Sequence, residues 1–138
     1  MMIDLSKLEL IGFKDERLFI DGVDHEWCWR AKTQNLLVAI ANNVEMVHKL
    51  GDGRSKFAGI TYKVGSPIRL YYQFRNILIL TRRGYVPTYW KTRNVLVLPI
   101  RFFANSLLQS NKRERIKFML CGLLDGLLKR DGSFHEHW

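Results

Sequence analysis

The sequence predicts an α+β chain, with a short β-containing N-terminal part followed by about three helices. Three observations carry this expectation. Of the 138 residues 47% are hydrophobic and 12% aromatic, enough for one folded domain with a real core. Before Pro67 the apolar residues come in short, partly β-branched runs separated by turn pairs. After Pro67 they recur at helical spacing.

Taken in order, "DLSKLELIGF" (4–13) reads as a short helix capped by Asp4 or Ser6 and stopped at Gly12. "DERLFIDG" (15–22) is a turn that leads to Asp21-Gly22. From Asp24 to about Gln34 a helix is predicted, because Val23, Trp27 and Ala31, and again Trp27, Arg30 and Gln34, recur at helical spacing. "NLLVAIANNVEMVHKLG" (35–51) predicts two short strands split at Asn42-Asn43. Residues 51–65 hold four glycines before Pro67 and read as a mobile surface loop.

"PIRLYYQFRNILILTRR" opens with proline at the first helical position and stops at Gly84. "PTYWKTRNVLVLPIRFFANSLLQ" reads as a second helix, bent or broken at Pro99. "NKRERIKFMLCGLLDGLLKRDG" reads as a third, with Asn111 as cap and Gly132 as stop. In it Ile116, Leu120, Leu123, Leu124, Leu127 and Leu128 form the predicted apolar stripe.

Composition narrows the function classes. Cys28 and Cys121 stand far apart in apolar surroundings, neither a disulfide framework nor a metal-spaced pair, which points to a reducing cytoplasm. The N-terminus is charged from Asp4 onward and is not a signal peptide. The longest nearly uncharged run, "NVLVLPIRFFANSLL", is broken by Pro99 and Arg101 and is too short to span a bilayer. The net charge of +9 is uneven: residues 1–66 hold nine basic and nine acidic residues, and residues 67–138 hold thirteen and four. The chain thus divides into a neutral segment, 1–66, and a basic amphipathic helical region, 67–138, expected to pack as one compact domain.

The stretch "VDHEWCWR" interleaves acids with aromatics and ends in Arg30. Asp21 or Asp24 could cap the helix, a contribution of about 1 kcal/mol. Glu26 and Arg30 stand four apart and could form an ion pair of roughly 0.3–0.5 kcal/mol. Trp27 and Trp29 read as core and wall.

Together "FIDGVDHEWCWRAK", "MVHKLGDG", "PIRLYYQFRNILIL" and "GLLDGLLKRDG" resemble the C-terminal half of family 2 glycosyltransferases, and most of all bacterial rhamnosyltransferases that build surface polysaccharides. The likeness covers nearly the whole chain. It implies the C-terminal fragment of a GT-A-type enzyme, cytoplasmic and in places peripheral to the inner membrane face. Such enzymes transfer a sugar, here rhamnose, from a nucleotide-sugar donor to a saccharide or lipid-linked acceptor with inversion. The resemblance puts Asp24 at the catalytic base and Glu26, Trp27 and Arg30 at the acceptor. It puts His48 at a divalent metal, manganese or magnesium, and Arg69 and Arg75 at phosphate. It also implies that the donor-binding half with its Asp-x-Asp motif is absent here, so that this chain alone is inactive and its uncovered surface favours a homo-oligomer. The alternative is a non-catalytic basic helical module on the anionic membrane surface. Nucleic acid is the weakest partner, because no nucleic-acid motif is present.

Overall fold

The computed structural model describes residues 3–40, 53–57, 60–64, 66–136 and 138. Asp4 accepts from the Ser6 N–H and opens one 3-10 turn, Leu5–Lys7, which runs into helix α1 (Leu8–Ile11) and stops at Gly12. After a second 3-10 turn, Glu16–Leu18, helix α2 spans Val23–Thr33. Its acids, Asp24 and Glu26, stand in the first turn and its bases, Arg30 and Lys32, in the last, as the helix dipole favours. Strands β1 (Gly53–Phe57) and β2 (Ile60–Val64) pair antiparallel, with Gly53 opposite Val64 and Phe57 opposite Ile60. Helices α3 (Pro67–Thr81), α4 (Thr88–Leu108) and α5 (Lys112–Leu128) follow, and a 3-10 turn at Phe134–Glu136 ends the fold.

The α+β expectation is overturned. The packed body is all helical, and the N-terminal part that carries Asp24 is built from α1 and α2 rather than from strands. Residues 36–40 are not strand, and 41–52, with the rest of the expected strand pair, lie outside the described residues. The hairpin instead occupies the glycine-rich stretch read as a loop, paired only with itself. The reason is the short apolar run at 36–40, which periodicity cannot assign to strand or to extended coil. The three helices after Pro67 start where proline, Pro87 and Asn111 predict. Of the expected bend or break at Pro99, the break does not occur: α4 continues through Pro99, which is exposed.

The body is organised on α3, which buries residues around most of its circumference and packs longest against α5. Two glycines make that approach possible. Gly122 and Gly126 lie one turn apart on the same side of α5. A Cβ at Gly122 would stand 2.4 Å from the Tyr71 carbonyl oxygen, and one at Gly126 3.0 Å from that of Arg75. The buried side of α5 is therefore Arg115, Met119, Cys121, Gly122, Asp125 and Gly126. The predicted stripe holds only in part: Ile116 and Leu123 pack on the main core, whereas Leu120, Leu124, Leu127 and Leu128 are all about half exposed.

Leu70, Phe74, Ile77, Leu98 and Met119 join α3, α4 and α5 in the main core. Tyr71, Tyr72, Cys121 and Phe134 seal the C-terminal turn against it. On the other side Leu18, Leu80 and Val86 bring the N-terminal segment onto the end of α3, while Ile11, Trp27 and Ala31 pack α1 on α2.

Candidate functional site

Helix α2 is capped by Gly22, whose φ of +87° favours glycine and where an added Cβ would crowd the Leu80 side chain at 3.0 Å. A helix turns about 100° per residue, so Asp24 and Glu26 point to nearly opposite sides. Their environments differ accordingly. The Asp24 side chain is 63% exposed and takes one contact, from Lys14 Nζ to Oδ1 at 2.6 Å. No side chain caps α2, so Asp24 is not a hydrogen-bonding cap.

Glu26 is 1% exposed. Its Oε1 accepts from Arg30 Nε at 3.0 Å and from Tyr85 Oη at 2.5 Å, and lies 3.2 Å from Arg83 Nη1. Its Oε2 accepts from Arg30 Nη2 at 3.1 Å. Arg83 also donates to the Tyr85 hydroxyl and to Asp15 Oδ2. Asp15 in turn accepts from the Arg17 backbone and guanidinium. Burial would push the Asp15 carboxyl up, but hydrogen bonds from Arg17 and Arg83 outweigh it and hold the group below its usual range. Burial and donation to Glu26 push the Tyr85 phenol up, so the neutral hydroxyl persists.

Phe13, Asp15, Arg17, Glu26, Arg30, Arg83 and Tyr85 line an open cleft of about 470 Å³. That volume falls in the range of small-ligand sites, roughly 300–1,000 Å³. Carboxylates, guanidinium groups and one exposed aromatic ring are the groups that bind sugar hydroxyls and ring faces. On the other side of α2, a cleft of about 230 Å³ is lined by Asp21, His25, Asn76, Trp90 and Arg101 among others. Asp24 lines neither.

Of the residues singled out in the sequence, Glu26 and Arg30 meet at the first cleft. Arg30 also donates to the carbonyls of Ile11 and Phe13, at 2.6 and 2.7 Å, and Trp27 Nε1 donates to that of Gly12 at 2.9 Å. Trp27 is 6% exposed, so its place is the wall behind the site. Arg69 pairs with Asp21 at 3.3 Å. Arg75 is fully buried, with its five N–H donors directed to Asn76 Oδ1, the Tyr71 hydroxyl and the carbonyls of Gly132, Arg17 and Leu18. That location makes it a clamp between the N-terminal segment, α3 and the C-terminal turn, out of reach of a phosphate. His48 lies outside the described residues. Among the described residues no three His, Cys, Asp or Glu side chains gather as a metal site.

The sequence reading missed Asp15, Arg83 and Tyr85. Asp15 and Arg83 stand 68 residues apart, so no local spacing announces them; the adjacent "RRGY" at 82–85 was the available hint.

Over 126 residues, 91% of its length, the chain is 38% identical to the dTDP-rhamnosyl transferase RfbF of Shigella flexneri. It spans 43% of that protein's length. No family model matches the sequence, and no solved structure matches it. The resemblance carried by the motifs is therefore a kinship in sequence: the chain is related to a rhamnosyltransferase over less than half of that enzyme.

Proposed function

We propose, from this kinship, that the chain is the acceptor-side portion of an inverting rhamnosyltransferase, with Asp24 as the catalytic base. The donor is a nucleotide-activated rhamnose and the acceptor a saccharide or lipid-linked saccharide. In the reaction the acceptor hydroxyl oxygen bonds to the anomeric carbon as the bond to the nucleotide diphosphate breaks. The hydroxyl proton passes to the Asp24 carboxylate. The rest of such an enzyme supplies the nucleotide-sugar site, where His48 is proposed to hold a divalent cation that neutralises charge on the diphosphate.

One observation favours Asp24 over its neighbour. Both Glu26 oxygens already accept from guanidinium or phenol groups inside the wall, whereas the Asp24 side chain is largely exposed and among the described residues only its Oδ1 is engaged, by Lys14. A base needs a free lone pair within reach of the acceptor. Glu26 instead anchors α2 from its buried side, through Arg30, Arg83 and Tyr85, and so positions Asp24 on the exposed side where the acceptor is proposed to bind.

The test joins this chain to the donor-binding part of the Shigella relative and follows rhamnose transfer. Asp24→Asn is expected to lower kcat at least about a hundredfold, since positioned base catalysis contributes about 10²–10⁴-fold. Stability should change by less than about 0.5 kcal/mol, because the Lys14 pair is solvent-screened. Near-full activity in this variant removes Asp24 from the chemistry.

A further inference from the structure

Helix α4 is apolar on two opposite sides. Inward, Leu98 with Trp90 and Phe102 packs on α3 and α5. A helix so placed ordinarily turns polar residues outward. Here Leu96, Ile100, Phe103 and Leu107 follow one another at helical spacing on the outer side, each between 62% and 69% exposed. Tyr89, 77% exposed, and Arg93 extend the same line toward the start of the helix. On α5, packed beside α4, the half-exposed Leu120, Leu124 and Leu127 add to the apolar surface.

The exposed charges of these two helices are mostly positive. Across α4 and α5 the exposed cations include Arg93, Lys112, Arg113 and Lys117, while Glu114 is the one exposed acid, because Asp125 is sealed in the core. A second copy of the chain is a poor cover, since a two-fold contact sets a patch on itself and would bring these cations together. A nucleic acid would take the cations and leave the leucines in water. An anionic lipid surface accommodates both: apolar side chains enter the acyl boundary, and cations and the Tyr89 hydroxyl meet the headgroups. No helix among the described residues is long and apolar enough to cross a membrane, so the mode is to lie on it.

We propose that α4 docks along an anionic lipid surface with Leu96, Ile100, Phe103 and Leu107 inserted and Arg93 at the headgroups. This stands on the helix itself and does not require the transferase reading, for which it would be a location rather than a rival.

The chain is floated with phosphatidylcholine vesicles, with and without phosphatidylglycerol. Recovery should require phosphatidylglycerol and fall with added salt. Ile100→Glu with Phe103→Glu should cut the bound fraction at least about tenfold at an unchanged melting temperature, because both side chains are exposed. Ile100→Ser with Phe103→Ser serves if the charged pair disturbs folding, and should show the same direction. Equal recovery from neutral vesicles, or unchanged binding by the folded variants, overturns the proposal. So does a dimer in light scattering that the double variant converts to monomer.

Discussion

Two carboxylate–tyrosine–arginine networks lie in this molecule, in opposite surroundings. Asp125 accepts from the Tyr71 hydroxyl at 2.8 Å, and Arg75 donates to that hydroxyl at 3.4 Å; all three residues have zero exposure. Glu26 accepts from Tyr85 and is paired with Arg83 and Arg30, whose side chains are 16% and 25% exposed beside a cleft. The functional groups are nearly the same, and access to water differs. In the sealed network burial and donation to Asp125 push the Tyr71 phenol up to about 12, and no water can replace a lost partner. In the open one, solvent can rehydrate what a substitution uncovers, so the same chemistry can hold a wall and still meet a ligand.

The sharpest way to break the comparison is Arg75→Ala. It takes the guanidinium donor from the Gly132 carbonyl, Asn76 Oδ1 and the Tyr71 hydroxyl, while the Arg17 and Leu18 carbonyls keep backbone or Asn76 donors, and should cost about 3–5 kcal/mol in urea denaturation. A loss under about 1 kcal/mol means that water reaches this network too. Next comes Gly122→Ala. Alanine normally stabilises a helix interior by about 0.5–1 kcal/mol. Here its Cβ meets a helix carbonyl at 2.4 Å, so a net loss of about 1–3 kcal/mol is expected, and a gain would show that α3 and α5 can separate freely. The smallest effect belongs to the open network. Glu26→Gln puts a buried amide opposite Arg30 and Arg83, whose side chains reach solvent, so about 1.5 kcal/mol is expected in the same assay. If it costs as much as Arg75→Ala, exposure is not what separates the two networks.

What was legible in the sequence follows from how local its cause is. Pro67 at the head of α3, the Asp4 cap and the start of α5 after Asn111 are decided within a few residues, and they stand. The buried side of α5 was legible only at Ile116 and Leu123, because hydropathy selects leucines while close helix contact selects Gly122 and Gly126. Arg75 looks like a ligand group in sequence, since nothing nearby shows that five acceptors from three segments converge on it. At the candidate site, the resemblance located α2 and its acids, yet which acid is enclosed depended on Arg83 and Tyr85, some sixty residues further along.

The clamp around α3 also bears on how the chain acquires its shape as it is made. Tyr71 precedes Asp125 by 54 residues, Arg75 precedes Gly132 by 57, and Tyr72 precedes the Phe134 N–H by 62. A ribosome releases α3 well before any of these partners exists. In that interval Arg75 has only its acceptors in the N-terminal segment and on α3, and loop closure to the C-terminal turn must precede the remaining contacts. Enclosure of α3 is therefore completed only when the end of α5 and the C-terminal turn arrive, 54 to 62 residues after the helix side chains that they cover.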